Sequence, residues 1–253
     1  MEVNIKKLEK AQLFHDGKTK KLYTTNHPEF LFVEFKNEVF PMEGKKSTKV
    51  RGKSAINLEV ASYIFQFLDS YHIPTHFMGK VGGKYMVVRR LEMVPIHVII
   101  RNAAAGSFSK SFRMEDGQIL PAPIIEFYFK NAKLGYPMVN EYHLYAFGSS
   151  NQDEIRNIQR YSAKINAVMK NFFERRNFQL IDFKLEFGRS GGKIYVADEI
   201  TLDTCRLWDQ TDDRHLEKIT AGKKETEISK LYAEIRQRIL HPRTKDEKLN
   251  LVR

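Results

Sequence analysis

The chain of 253 residues contains one cysteine, Cys205, and one tryptophan, Trp208. A lone cysteine excludes an intrachain disulfide and agrees with a reducing, cytoplasmic setting. Cys205 also lacks an evident histidine partner to activate it, so it reads as a packing residue rather than a nucleophile. Long apolar runs are missing as well: the longest, around Met93 to Ile100, is broken by Pro95 and His97. It falls far short of the roughly 18 residues that span a bilayer, and a soluble protein with no membrane partner is expected. The first ten residues carry charges where a secretory signal needs its apolar stretch, so export is not expected. Neither an internal repeat nor a low-complexity segment is found.

What the sequence has in excess is positive charge, with 42 Lys and Arg against 31 Asp and Glu, a formal net charge of +11. Such an excess suits phosphate-bearing partners, whether small polyanions or nucleic acid, and equally a basic solvated surface with no specific partner. The densest group, Lys18, Lys20, Lys21, Lys45, Lys46, Lys49, Arg51 and Lys53, lies among turn-like residues in the first fifth of the chain.

The patterning predicts an α+β chain in two lobes, a strand-rich residues 1–95 and a larger 96–253, with ligands expected between them. In the first lobe, short strands at 13–14, 20–24 and 30–35 are punctuated by Asp16-Gly17 and Asn26-His27-Pro28. Gly82-Gly83 signals a two-residue hairpin. Ile56, Val60, Ile64 and Phe67 recur at helical spacing after Ser54, a suitable N-cap. In the second, a long helix from Asp153 to Arg176 buries Ile155, Ile158, Ile165, Met169 and Phe172, with Ser150 and Asp153 as its capping box. A further helix carries Ile228, Leu231 and Ile235, and the charged tail after Pro242 is expected to be peripheral.

The segment 178–198 is the most informative. Alternation places Gln179, Ile181, Phe183, Leu185 and Phe187 on one face, and Asp182, Lys184 and Glu186 on the other with Phe178 and Leu180. A five-residue turn, Gly188-Arg-Ser-Gly-Gly192, then leads into a strand ending in Asp198-Glu199. Two acids and an ammonium in one row suit a hard divalent cation, which prefers carboxylate oxygens and keeps waters and phosphates as its other ligands. An exposed strand with alternating charges has the same pattern. With a five-residue loop, moreover, Asp182 would pair with Asp198 and Glu186 would lie near the turn, so a shared metal needs a bulge, strong twist or bridging phosphates. Asp16-Gly-Lys-Thr-Lys20 places lysines after a flexible glycine and suggests phosphate contacts, although it is not a Walker loop. Arg101-Asn-Ala-Ala-Ala-Gly-Ser107 combines small residues with donors suited to a phosphate or carboxylate, or forms a tight core turn.

Seven stretches in order, Gly17-Lys-Thr-Lys-Lys-Leu-Tyr23, Ile73-Pro-Thr-His-Phe77, Leu91-Glu-Met-Val-Pro95, Arg101 to Ser107, Pro137-Met-Val-Asn-Glu141, Asp182-Phe-Lys-Leu-Glu-Phe-Gly188 and Asp198 to Asp209, give a resemblance to the SAICAR synthetase family over nearly the whole chain. The resemblance implies an ATP-grasp-related fold and an ATP- and Mg²⁺-dependent ligase of purine biosynthesis, expected to be a homo-oligomer. Its substrates would be carboxyaminoimidazole ribonucleotide and L-aspartate, joined through an acyl phosphate to give SAICAR, ADP and phosphate. By the same resemblance Lys18 and Lys20 are expected at the ATP phosphates and Glu92 and Met93 near adenine. Glu186 and Asp198 are expected as magnesium ligands, Lys184 and Asp182 as catalytic residues, and Arg101, Ser107 and Arg206 as substrate anchors. The chain departs from the family pattern in Phe35 to Gly44, at Leu58, which replaces an asparagine, and at Leu202, which replaces a proline. His97 replaces a glutamate and Tyr136 an aspartate. Two alternatives follow from these departures: a paralogue using another carboxylate or amine, and a basic nucleic-acid-binding protein without turnover.

Overall fold

The computed structural model describes residues 4–39, 47–212, 215–216 and 224–241. Residues 40–46, which include Lys45, Lys46 and much of the first departing segment, and the charged tail after Pro242 lie outside them. Two compact units result, Met1–Tyr71 with Thr75–Leu91 and Glu217–Arg253, and His72–Pro74 with Glu92–Leu216. The C-terminal helix Glu225–Leu240 thus groups with the first unit, whereas the sequence reading placed all of 96–253 together. Packing decides this: the helix buries Ile228, Leu231 and Ile235, Arg236 pairs with Glu59, and the Arg51 amide donates to Glu225 at 3.1 Å. An apolar stripe shows that a helix must dock and leaves its partner open.

In the first unit, β1 (Lys10–Asp16), β2 (Lys20–Thr25), β3 (Phe30–Phe35), β6 (Phe77–Val81) and β7 (Tyr85–Arg89) form an antiparallel sheet in the order β1-β2-β3-β7-β6. β4 (Glu38–Val39) and β5 (Thr48–Lys49) make a separate ribbon. Helix α1 (Lys53–Ser70) buries Val60, Ile64 and Phe67 as the 3.6-residue spacing predicts. Its N-cap is Gly52 at φ 82°, and Ser54 lies inside the first turn, where its amide donates to Asn37 Oδ1 at 2.9 Å. Val81 pairs with Tyr85, so the Gly82-Gly83 hairpin has a three-residue connection.

The second unit is built on a sheet in the order β11-β10-β9-β12-β13, with β14 and β8 also pairing with β12. The strands are β8 (Glu92–Met93), β9 (Ile96–Ala103), β10 (Ile119–Phe129), β11 (Met138–Val139), β12 (Phe178–Ser190), β13 (Lys193–Ala197) and β14 (Cys205–Asp209). Short helices α2 (Ser107–Phe112) and α3 (Glu141–Ala146) precede the long α4 (Gln152–Glu174). Buried Ile155, Ile158, Ile165, Met169 and Phe172 confirm the α4 stripe, and Asn166 exchanges hydrogen bonds of 2.9 and 2.8 Å with Asn102 of β9. The capping box is Asn151 with Glu154, one residue beyond the predicted Ser150 and Asp153. Asparagine caps as well as serine, and at this position its Oδ1 reaches the Glu154 amide at 2.9 Å. Among the described residues no helix is long and apolar enough to cross a membrane.

Candidate active site

Strand β12 organises the site, and two features of its pairing depart from simple alternation. The first is a register shift against β14 between Leu180 and Asp182. Ile181 packs with Ala103 and Trp208, which by alternation share the faces of Arg101 and Arg206. The bulge therefore puts Ile181 and Asp182 on the same side and takes Phe178 and Leu180, both buried, out of the charged row. The second is the turn into β13. Ser190 pairs with Lys193, leaving only Gly191 and Gly192 at φ 55° and 72° as the connection. Two successive positive φ angles match the right-handed twist of the strands, and glycine adopts them without a Cβ clash. The expected five-residue loop is thus a two-residue one, Glu186 pairs with Ala197, and Asp198 follows directly at φ 64°. No bridging bulge between the acids is required.

The consequence is a compact charge cluster. Lys184 Nζ lies 3.1 Å from Glu186 Oε1 and 3.2 Å from Asp198 Oδ2, bridging the two carboxylates. Glu186 is buried, and it also meets His97 Nε2 at 3.3 Å and the Lys130 ammonium. Burial and the neighbouring Asp198 carboxylate push the Glu186 pKa up. The hydrogen bond from His97 and the charges of Lys184 and Lys130 outweigh them and hold it well below the usual carboxylate range. Two carboxylates facing one ammonium fit a Mg²⁺ ion, which takes one or two protein carboxylates and completes its shell with water and phosphate. Among the described residues no group of three or more His, Cys, Asp or Glu offers a cage made of protein alone.

Further along the same face, Asp182 pairs in register with Arg101 of β9 and Arg206 of β14. Its Oδ2 accepts from Arg101 Nη1 at 3.1 Å and forms an ion pair with Arg206 Nη1 at 3.2 Å. Arg101 Nε donates to Glu126 Oε2 at 2.8 Å, and Tyr128 donates to the same oxygen at 3.0 Å. Acids and arginines thus alternate across β10, β9, β12 and β14, so each guanidinium is held in place by fixed carboxylates. Gly106, at φ 61°, lies against Arg206, where an added Cβ would be 3.0 Å from Nη1. The exposed Ser107 begins α2 immediately after it.

Glu92 accepts from Arg189 Nη1 at 2.7 Å, and Met93, which is exposed, pairs with Gly188. Lys18 and Lys20 belong to the first unit, Lys18 in the turn joining β1 to β2 and Lys20 as the first residue of β2, where Gly17 N donates to Lys20 O at 3.0 Å. Lys36 ties this turn by donating to the Asp16 carboxylate and, at 2.6 Å, to Gly17 O. The sequence reading missed Lys36, Lys130, Glu126 and the contact of His97 with Glu186. Each lies on a strand distant in sequence or, for Lys36 and Lys130, on the residue just past one, and no local spacing marks it. Cys205 is buried and its thiol is pushed above its ordinary pKa by burial, in agreement with a packing role.

The SAICAR synthetase family model matches residues 13–239. Phosphoribosylaminoimidazole-succinocarboxamide synthase of Enterococcus faecalis is 42% identical over 234 residues, 92% of this chain and 99% of that protein. The enzyme of the same name from Coprothermobacter proteolyticus is 39% identical over 233 residues, with the same coverage. Among solved structures, the Ehrlichia chaffeensis synthase superimposes with a TM-score of 0.84 at 33% identity, over 90% of this chain and 98% of that one. A SAICAR synthetase in complex with ADP gives 0.83 at 36% identity, over 89% and 96%. With its two-unit α+β fold and a family match across most of its length, the chain belongs to the SAICAR synthetase family.

Proposed function

We infer that the protein is an ADP-forming carbon–nitrogen ligase that joins carboxyaminoimidazole ribonucleotide to L-aspartate to give SAICAR in purine biosynthesis. The observation that carries this is the one sheet face on which an arginine pair on Asp182 and a lysine-bridged carboxylate pair lie together, within a chain that matches the family throughout. Arg101 and His97, at the two ends of this face, are four residues apart on β9, roughly 13 Å in a strand. That separation suits a ribonucleotide whose phosphate is held by Arg101 and Arg206, with Ser107 as a further donor, while its carboxylate reaches Lys184.

A carboxylate is a poor electrophile, and ATP with Mg²⁺ supplies the phosphoryl group and charge neutralisation that convert it to an acyl phosphate open to the aspartate amine. The chain's own residues orient and neutralise. Glu186 and Asp198 would hold the metal, and Lys184 and Lys130 face the charge that develops on the transferring oxygens. The role of Asp182 is to fix the two arginines, a refinement of the catalytic role expected for it. Lys18 and Lys20 are proposed as nucleotide-phosphate contacts and Glu92 and Met93 as neighbours of adenine. Little is asked of a protein nucleophile, since alignment of the two substrates accounts for most of the work.

The test is ADP release from purified protein given ATP, Mg²⁺, the ribonucleotide and L-aspartate. Turnover that requires both acceptor and amine is the expected result. ADP release only with other acids or amines would favour a paralogue with a changed acceptor.

A further inference from the structure

Core packing does not explain the place of Tyr136, whose amide closes a turn by donating to Asn131 O at 3.1 Å. It follows Gly135 at φ 71° and itself adopts φ 55°, a left-handed conformation that is unusual for a bulky side chain. The residue is 41% exposed, so little burial offsets that choice. What the ring does touch is His97: the two rings stack with centroids 5.5 Å apart and an interplanar angle of 25°. His97 in turn places Nε2 3.3 Å from Glu186 Oε1. Six residues before Tyr136, Lys130, just past the end of β10, bonds the other oxygen of Glu186, its own amide anchored on Pro95 O at 2.9 Å. Residues 130–136 therefore reach one carboxylate from two sides, directly through Lys130 and indirectly through the imidazole. The two departures from the family pattern at 97 and 136, far apart in sequence, are a single contact in the fold.

We propose that Tyr136 is a positioning residue that holds Glu186 through His97, an inference that rests on the ligase reading of this site. The χ2 torsion of histidine is broad, so an unsupported imidazole swings and its Nε2 leaves the carboxylate for much of the time. A ring stacked on it narrows that torsion and keeps Nε2 on Oε1. Glu186 is then presented in one orientation for the cation it shares with Asp198. The left-handed backbone at Tyr136 is the conformation that carries the phenol ring over the imidazole, which is the pattern of strain kept where the surrounding site uses it.

The experiment compares Tyr136→Gly, Tyr136→Asn and Tyr136→Phe with the parent. Glycine and asparagine tolerate the left-handed conformation and lack the ring, while phenylalanine keeps the stack. Expected are melting temperatures equal to or above the parent's for the glycine and asparagine variants. With these go about a tenfold lower kcat and a several-fold higher Mg²⁺ concentration at half-saturation, at little-changed KM for the ribonucleotide. The phenylalanine variant should restore both quantities to within twofold. A second readout is the ¹H–¹³C spectrum of His97, whose ring-current shift should vanish in the glycine and asparagine variants and persist with phenylalanine. Parental kcat and Mg²⁺ dependence in the glycine variant would overturn the proposal, as would a phenylalanine variant as impaired as glycine. Absence of turnover in the parent would instead count against the ligase reading, and the histidine spectrum would still show whether the stack exists.

Discussion

Glu186 lies opposite Ala197 in the β12–β13 hairpin, which leaves Asp198 one residue past the pair and within reach of the same lysine. The spacing of the acids along the chain would not produce this arrangement with a longer turn. It depends on the two-glycine connection at 191 and 192.

Removing the charge of either acid tests the metal assignment. Glu186→Gln and Asp198→Asn preserve shape, so the fold should be retained by circular dichroism. Mg²⁺-dependent ADP release should fall by about two orders of magnitude or more, the usual scale for a lost charge-stabilising group at a reacting centre. A folded variant with parental turnover would refute the assignment.

Asp182→Asn addresses the arginine pair. The amide can no longer form charge-assisted bonds with both Arg101 and Arg206, and a loss of about 1–3 kcal/mol in ribonucleotide binding is expected. Steady-state kinetics should show a KM for the ribonucleotide raised by about ten- to a hundred-fold, with a smaller change in kcat and none in the KM for ATP. An equal loss in kcat with unchanged KM would place Asp182 in the chemical step instead.

Gly106→Ala should act on the same anchor by a different route. The residue sits at φ 61°, and the new Cβ would come within 3.0 and 3.2 Å of the Arg206 guanidinium nitrogens. At ψ −125° this lies outside the left-handed helical region, and backbone strain on the order of 1–3 kcal/mol should lower the melting temperature by several degrees. The displaced Arg206 should raise the ribonucleotide KM in the same direction as Asp182→Asn. Glycine-like kinetics in the alanine variant would show that Arg206 moves aside without consequence.

Acid stability of the metal-free protein should report on Glu186. Its folded pKa is held down at about 2, against an ordinary 4.5, so the folded state binds this proton less readily than the unfolded chain. The stabilisation is fully present above about pH 4.5 and is lost as the pH falls from there through the lowered folded value. Urea midpoints measured between pH 6 and 2.5 should therefore fall more steeply for the parent than for Glu186→Gln. Parallel curves would contradict the linkage.

Much of this site was legible in the residues themselves. Alternation placed Asp182, Lys184 and Glu186 in one row because a strand's side chains repeat every two residues, and the apolar spacing of α4 identified its buried stripe for the same kind of reason. The resemblance of seven ordered stretches supplied the family, which the match over residues 13–239 bears out. Local chemistry also indicated glycines at the β12–β13 turn, though not how many residues the turn would use.

Three things belonged to the tertiary structure alone. Register is set by pairing across strands, so the bulge at Ile181–Asp182 and the two-residue turn fixed which side chains share a face, against the sequence expectation. Helix docking is set by complementary surfaces, so Glu225–Leu240 joined the first unit. Finally, a buried charge needs partners from whichever strands surround it. That is why Lys130, His97 and, through His97, Tyr136 gather on Glu186 although nothing in their sequence spacing relates them.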